Sequence, residues 1–283
     1  MRLLALTLIL MLAAAPRFAA ASEAMHTDSI DIQYAEPASP DMKPVYEMVK
    51  NARVLEKLQG MLEPLRLPRR LLLKTTSCHG DADAWYEKAV VTVCYEFLDD
   101  IWKNVPGKTT RRGVTPMDAM VGPVMDTFLH EVGHAVFDLW KVPVLGREED
   151  AADFFSAYLM LKFDQDDARR LIMGAAYQYR DDIRKQHVSL PVTKFADVHG
   201  LPAQRFFNVL CMAYGSREPS FADLVEKGYL PAARAKDCRD EYKQMAYAFE
   251  KLLSPHIAPG FREELLLHQL PPADQEPRRR SVR

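Results

Sequence analysis

The chain has 283 residues, of which 48% are hydrophobic and 27% are charged, and its formal net charge at pH 7 is −2. A chain of this length and composition can bury a sizeable core, and no repeat or low-complexity linker divides it, so we predict one domain over residues 22–270. The near-neutral charge, without a basic stripe or a nucleic-acid motif before the last few residues, predicts no nucleic-acid partner.

The N-terminus has the pattern of an export signal. Arg2 precedes an apolar run from Leu3 to Ala15, and the small residues Ala19-Ala20-Ala21 follow it. The apolar run is too short to span a bilayer comfortably. We therefore predict a signal peptide over residues 1–21, a mature chain that begins near Ser22, and export to the periplasm or beyond. An uncleaved membrane anchor is the alternative.

The N-terminal part combines strands with helices. Residues 29–35 alternate like a strand, residues 45–65 have helical apolar spacing, and residues 71–76 and 89–95 favour strands. From Thr115 onward helical patterns dominate. The chain is therefore predicted to be α+β and mainly helical, with a small N-terminal sheet and a helical C-terminal part.

Four cysteines in an exported chain predict disulfides. Four cysteines allow three pairings. Cys78 and Cys94 flank one predicted hairpin, whereas Cys211 and Cys238 both lie in the helical part, so sequential pairing is favoured. None of the spacings is short enough for a zinc knuckle, and we interpret all four cysteines as structural.

The run His130-Glu131-Val132-Gly133-His134 is an HExxH motif. Two histidines four positions apart on a helix point the same way and can hold one metal ion. Glu131 can serve as the general base for a water molecule that the metal acidifies. Pro123 is expected in the first turn of this helix. The alternative is an amphipathic helix whose histidines recur by chance. A third ligand is therefore needed to support a metal site.

Glu149 is the predicted third ligand, because it follows His134 after a short connection, in the first turn of a second helix. Asp153 lies one turn further along the same face, where it can hydrogen-bond the outer nitrogen of a metal-bound histidine. Glu148 is the fallback ligand. Asp138 either supports a histidine in the same way or is an ordinary exposed residue near the end of the first helix.

The C-terminal part supplies one more candidate for catalysis. Residues 164–186 are predicted to form a long helix, and His199 follows it, with Asp197 nearby to fix its tautomer. We expect His199 to stabilise the oxyanion of the reaction, with a surface or capping role as the alternative. Tyr86 and Tyr95 are weaker donors for the same role. The remaining histidines are interpreted as surface residues, and residues 271–283 are predicted to be disordered.

The strand at residues 89–94 has two interpretations. In zincins a sheet edge beside the metal can hold an extended peptide by strand addition, and this strand is the candidate for that role. Its valine content is equally typical of a plain core strand.

These segments together resemble a bacterial "putative metallopeptidase" family that is catalogued as a domain of unknown function. The resemblance rests on HEVGH followed by VPVLGREEDAADFF, and it covers most of the chain from about residue 28 to residue 250. It is looser with the gluzincin peptidases, whose second motif is Glu-x-x-Ala-Asp. Where the family pattern has Asn-Ala-Phe-Tyr, this chain has Asp83-Ala84-Trp85-Tyr86. Further matching segments are residues 78–86, 91–96, 197–199, 204–206 and 214–215, with Cys211 and Cys238.

The resemblance implies a zincin-like fold and a zinc peptidase, without a known substrate. The motifs agree with it: one Zn²⁺ held by His130, His134 and Glu149, with Glu131 as base and a peptide or protein as substrate. A non-catalytic zinc-binding envelope or scaffold protein of the same fold is the alternative. Retention of Glu131 argues against it, because a purely structural zinc site has no use for a base. A metallohydrolase acting on other substrates is a third interpretation.

Overall fold

A computed structural model of the protein describes residues 29–185, 192–261, 270–275 and 277. The predicted signal peptide, His187 and His268 lie outside these residues. Within the described part, a four-stranded sheet near the N-terminus is followed by a larger set of helices. The prediction of a mainly helical α+β fold is therefore confirmed.

The sheet consists of β1 (Ile30–Tyr34), β2 (Leu71–Thr76), β3 (Ala84–Glu87) and β4 (Val90–Cys94), in the spatial order β1-β2-β4-β3. β1 and β4 both run parallel to β2, whereas β3 runs antiparallel to β4. A two-residue turn joins β3 to β4, and both of its residues, Lys88 and Ala89, have positive φ. Such a turn follows the twist of the two strands.

β4 is an inner strand of the sheet. It pairs with β2 on one side and with β3 on the other, and four of its five residues are buried. A strand with two neighbours cannot accept a peptide as a third, so the core interpretation of residues 89–94 is correct. The free edge on this side of the sheet belongs to β3.

Helices α1 (Lys43–Asn51) and α2 (Val54–Leu62) pack their apolar faces on the sheet side of the core. The sequence pattern predicted one helical stretch over residues 45–65. Arg53 divides it, because its φ of 53° is left-handed and ends the regular helical geometry. Helix α3 (Tyr95–Asn104) begins directly after β4.

Helix α4 (Asp118–Trp140) carries the HExxH motif. It begins earlier than Pro123 suggested, because Thr115 and Asp118 cap it reciprocally. The Asp118 amide donates to Thr115 Oγ1 at 3.1 Å, and the Thr115 amide donates to Asp118 Oδ2 at 3.2 Å. Pro123 lies inside the helix, so the expectation that it occupies the first turn is wrong.

Helix α6 (Gln165–Lys185) packs against α4 and crosses it at very close range. A Cβ atom placed on Gly174 would lie 2.1 Å from the carbonyl oxygen of Asp118, and one on Gly122 would lie 2.6 Å from Gly174 Cα. The α-helices that follow α4 in the described part of the chain are α5 (Glu148–Met160), α6 (Gln165–Lys185), α7 (Pro202–Ser216), α8 (Glu218–Phe221), α9 (Asp223–Glu226) and α10 (Ala232–Leu252).

Two disulfides join Cys78 to Cys94 and Cys211 to Cys238. The sequential pairing favoured from the sequence is therefore confirmed. The first bond ties the residues before β3 to the end of β4, and the second ties α7 to α10.

Among the described helices, none is long and apolar enough to cross a membrane. Residues 270 and 271 contact α6, because the Leu270 amide donates to Asp167 Oδ2 and the Arg170 guanidinium donates to the Pro271 carbonyl. Disorder was predicted for residues 271–283. Of these, residues 276 and 278–283 lie outside the described part of the chain.

Candidate metal centre

His130 and His134 lie one turn apart on the same face of α4, and their Nε2 atoms are 3.2 Å apart. Lys141, with a φ of 55°, ends the helix, and Gly146, with a φ of 107°, allows the turn that leads into α5. The short connection brings the first turn of α5 over the two histidines.

Glu149 meets both histidines from the start of α5. Its Oε2 lies 3.1 Å from His130 Nε2 and 3.4 Å from His134 Nε2. Ligands about 2.0–2.1 Å from a tetrahedral zinc ion are about 3.3 Å apart, so these three atoms fit around one ion. Hydrogen bonds from His130, His134 and His199 hold the pKa of Glu149 well below its usual range, which keeps it an anion.

Asp153 supports His130 from the next turn of α5. Its Oδ1 lies 2.8 Å from His130 Nδ1, so the other ring nitrogen, Nε2, faces Glu149. Burial favours the neutral acid, but the charge of Arg205 and the hydrogen bonds of Arg205 and His130 lower the pKa of Asp153 to about 2. The sequence placed Asp153 in this supporting position, and the structure brings it there.

Arg205, on α7, has a role at this site that the sequence analysis did not predict. Its Nε donates to Asp153 Oδ2 at 2.8 Å, and its guanidinium carbon lies 4.7 Å from the centre of the Tyr179 ring. Tyr179 in turn donates to Asp126 Oδ2 at 2.6 Å, and Ser156 donates to Asp126 Oδ1 at 2.6 Å. A buried polar network therefore extends from Asp126 to the metal-site histidine.

Glu148, the fallback ligand, and Asp138 make their contacts away from the point where the three predicted ligand atoms meet. Glu148 Oε1 lies 2.8 Å from His134 Nδ1, so Glu148 faces the outer nitrogen of that histidine and not the side where the three ligand atoms meet. Asp138 accepts a hydrogen bond from Tyr86 at 2.6 Å and binds Lys141 at 2.8 Å. In the described part of the chain Asp138 contacts neither histidine, so it ties α4 to β3 instead of supporting the metal centre.

His199 joins the cluster from the segment that precedes α7. Its Nε2 lies 2.9 Å from Glu149 Oε2, and its ring stacks on that of His130 with centroids 6.1 Å apart. The backbone amide of His199 donates to Asp197 Oδ1 at 3.0 Å, and the His199 side chain is 47% exposed. Ligand atoms of His130, Glu149 and His199 all lie within 4.8 Å of one another. His199 could therefore supply a fourth ligand, through a ring nitrogen, beside the three that were predicted.

Charge in the cluster favours a bound cation. Burial opposes protonation of His130, but its hydrogen bonds with Asp153 and Glu149 outweigh burial and raise its pKa to about 9. Anionic surroundings that stabilise a proton on imidazole also stabilise a divalent metal ion at the same position. Glu131 is buried beside the histidines, and this desolvation raises its pKa. A carboxylate with a raised pKa is a better proton acceptor near neutral pH.

The two tyrosines considered as additional donors are engaged elsewhere. Tyr86 donates to Asp138, and Tyr95 is buried in the core, where it donates to the carbonyl of Ala35 at 2.7 Å. His256 stacks on Trp140 with ring centroids 4.8 Å apart, outside the cluster. His199 is therefore the donor that the described structure brings to the metal centre.

Residues 34–253 match the protein family described as "Putative metallopeptidase". No curated protein matches the chain, and no solved structure matches it.

Proposed function

Since the chain belongs to the family described as "Putative metallopeptidase", we propose that it is a zinc-dependent peptidase that uses water as the nucleophile. The observation that carries this proposal is the convergence of His130, His134 and Glu149, whose three ligand atoms are 3.1 to 3.4 Å apart. Two imidazoles and one carboxylate in a tetrahedral arrangement suit zinc.

His130, His134 and Glu149 would hold the ion, which would act as a Lewis acid and lower the pKa of a water molecule. Glu131 would accept the proton of the attacking water on its carboxylate and later donate it to the nitrogen of the leaving amine. Asp153 and Arg205 keep His130 in the tautomer whose Nε2 is free to bind the metal.

His199 would act on the carbonyl oxygen of the substrate. Its hydrogen bond with Glu149 raises the pKa of His199 and so favours the protonated imidazole. A protonated imidazole can donate a hydrogen bond to a developing oxyanion. The His199 side chain is 47% exposed, so a substrate could reach it.

β3 is the strand on which we propose the peptide lies. It is the free edge beside α4, and Tyr86 anchors it there through Asp138. Its neighbour Trp85 is 38% exposed and can contact substrate side chains. Main-chain hydrogen bonds along such an edge bind an extended chain irrespective of its sequence.

Glu131→Gln is the decisive test of the mechanism. Purified Glu131→Gln protein should bind zinc as wild type does and lose hydrolysis of a peptide library by about a hundredfold or more, because glutamine cannot take a proton. His134→Ala should lose both metal and activity. Zinc content is measured by elemental analysis beside each assay. Hydrolysis that survives Glu131→Gln at the wild-type rate would refute the mechanism.

A non-catalytic zinc protein is the second candidate, and the position of His199 favours it. If His199 bound the ion as a fourth protein ligand, the site would be closed, as structural zinc sites are. His199→Ala separates the two functions. A donor role predicts that the variant retains wild-type zinc affinity and loses about 100- to 1,000-fold in kcat. The closed site would instead be established by two results together: His199→Ala binds zinc more weakly than wild type, and wild type has no peptidase activity.

We also propose that the protein works outside the cytoplasm. Both disulfides persist most readily in an oxidising compartment. Recovery of the mature chain from a periplasmic or extracellular fraction, with residues 1–21 removed, would test this localisation.

A further inference from the structure

A cavity of about 300 Å³ is lined by none of the residues of the candidate metal centre. Its walls come from residues 110–114 ahead of α4, from α6 and α7, and from Tyr229 ahead of α10. A cavity of this volume is at the lower end of the range for small-molecule sites.

Four arginines line this small cavity, namely Arg111, Arg112, Arg180 and Arg184. Arg184 is paired with Asp181. In the part of the chain that the structure describes, the other three form no ion pair with a carboxylate. Burial lowers the pKa of Arg112, and repulsion by the nearby charge of Arg180 lowers it further. An anion placed between them would relieve that repulsion.

The guanidinium group of Arg112 is already oriented. Its central carbon lies 4.2 Å from the centre of the Tyr229 ring, in a cation–π contact that restricts its rotation. A planar guanidinium held in place can bind both oxygens of a carboxylate or phosphate group at once. The rest of the cavity wall includes Phe206 and Leu210, which are buried and apolar.

We propose that this cavity binds a small organic anion that carries a carboxylate or phosphate group on an apolar body. The arginines bind the charged group, and Phe206, Leu210 and Tyr229 contact the apolar part. The cavity has room for a molecule of the size of a substituted benzene ring.

Calorimetric titration of the full mature chain with phenyl phosphate, benzoate and inorganic phosphate tests the proposal. We expect saturable binding of one molecule of phenyl phosphate or benzoate per chain, and weaker binding of inorganic phosphate, which lacks the apolar part. The double variant Arg112→Gln/Arg180→Gln should weaken binding at least about tenfold. Each single variant should weaken probe binding less than the double variant does. The single variants therefore test the proposal even if the double variant does not fold.

Two controls separate this cavity from other sites. Arg70→Gln removes an exposed arginine that pairs with Asp31, far from the cavity in sequence, and should bind the probes as wild type does. His134→Ala disrupts the metal centre and should also retain binding, so the outcome is independent of the proposed peptidase activity. Absence of saturable binding to wild type up to about 10 mM probe, or equal binding by the double variant, would overturn the proposal.

Discussion

Asp126 shows how single buried residues determine the geometry of the candidate metal centre. It lies one turn before His130 on α4, and both of its oxygens accept hydrogen bonds, from Ser156 and Tyr179. Tyr179 packs under Arg205, which holds Asp153 against His130. The orientation of the histidine therefore depends on side chains from three further helices.

Asp126 also predicts how stability depends on pH. Burial raises its pKa above the value in the unfolded chain. A carboxyl group of this kind binds its proton more tightly when folded, so it favours the folded state below about pH 4. As pH rises through the folded-state pKa, that contribution to the free energy of unfolding is lost.

Asp126→Asn removes this titration. The altered hydrogen bonds lower the free energy of unfolding of the variant by about 1 kcal/mol or less. Relative to wild type, that free energy should increase as pH rises from about 4 toward neutral, because only wild type loses the contribution of the buried acid. Urea unfolding of both proteins across this pH range measures the difference. A difference that stays constant with pH would show that Asp126 does not titrate as a buried acid.

At the scale of elements, the close crossing of α4 and α6 fixes the position of the HExxH helix. Glycines at 122 and 174 remove the side chains that would separate the two backbones. The shortest approach would place a Cβ on Gly174 against a backbone oxygen, which cannot rotate away as a side chain can.

Gly174→Ala should therefore destabilise the protein by about 3 kcal/mol, because the new methyl group forces α6 away from α4. Gly107→Ala is the matched control, since a Cβ there would meet nothing within 4 Å. Thermal unfolding of the two variants and wild type checks the prediction. Equal melting temperatures for both variants would mean that the helices separate without cost.

Sequence patterns predicted the elements where local signals agree with long-range packing. β1, β2, β4 and the helices at the metal centre all follow the expected periodicity. The prediction was wrong at Pro123, because a reciprocal cap between Thr115 and Asp118 decides where α4 begins. It also missed the break at Arg53, since a left-handed residue other than glycine has no local sequence signal.

At the scale of the whole molecule, the candidate site could be predicted only in part. His130, His134, Glu149 and Asp153 lie on two successive helices, and helical spacing places them together. Arg205 reaches Asp153 across 52 positions of sequence. A contact at that separation depends on how helices pack, and no periodic pattern in one chain encodes it.

The Cys211–Cys238 disulfide joins α10 to α7, the helix that carries Arg205. It closes a loop with a sequence separation of 27 residues. A cross-link of this loop length lowers the entropy of the unfolded chain enough to stabilise the fold by about 3 kcal/mol. α7 and α10 also approach closely here, since a Cβ on Gly215 would lie 2.1 Å from the Cys238 carbonyl oxygen.

Cys211→Ala/Cys238→Ala should therefore lower the free energy of unfolding by about 3 kcal/mol, plus about 1 kcal/mol for the lost packing of two buried sulfurs. Because the three predicted ligands lie on α4 and α5, which this cross-link does not join, zinc content measured on the folded variant should stay at the wild-type level. Denaturant unfolding and elemental analysis of the same preparation test both statements. Loss of zinc from a variant that is still folded would mean that the position of α7, through Arg205 and Asp153, controls metal binding more strongly than the ligands on α4 and α5 do.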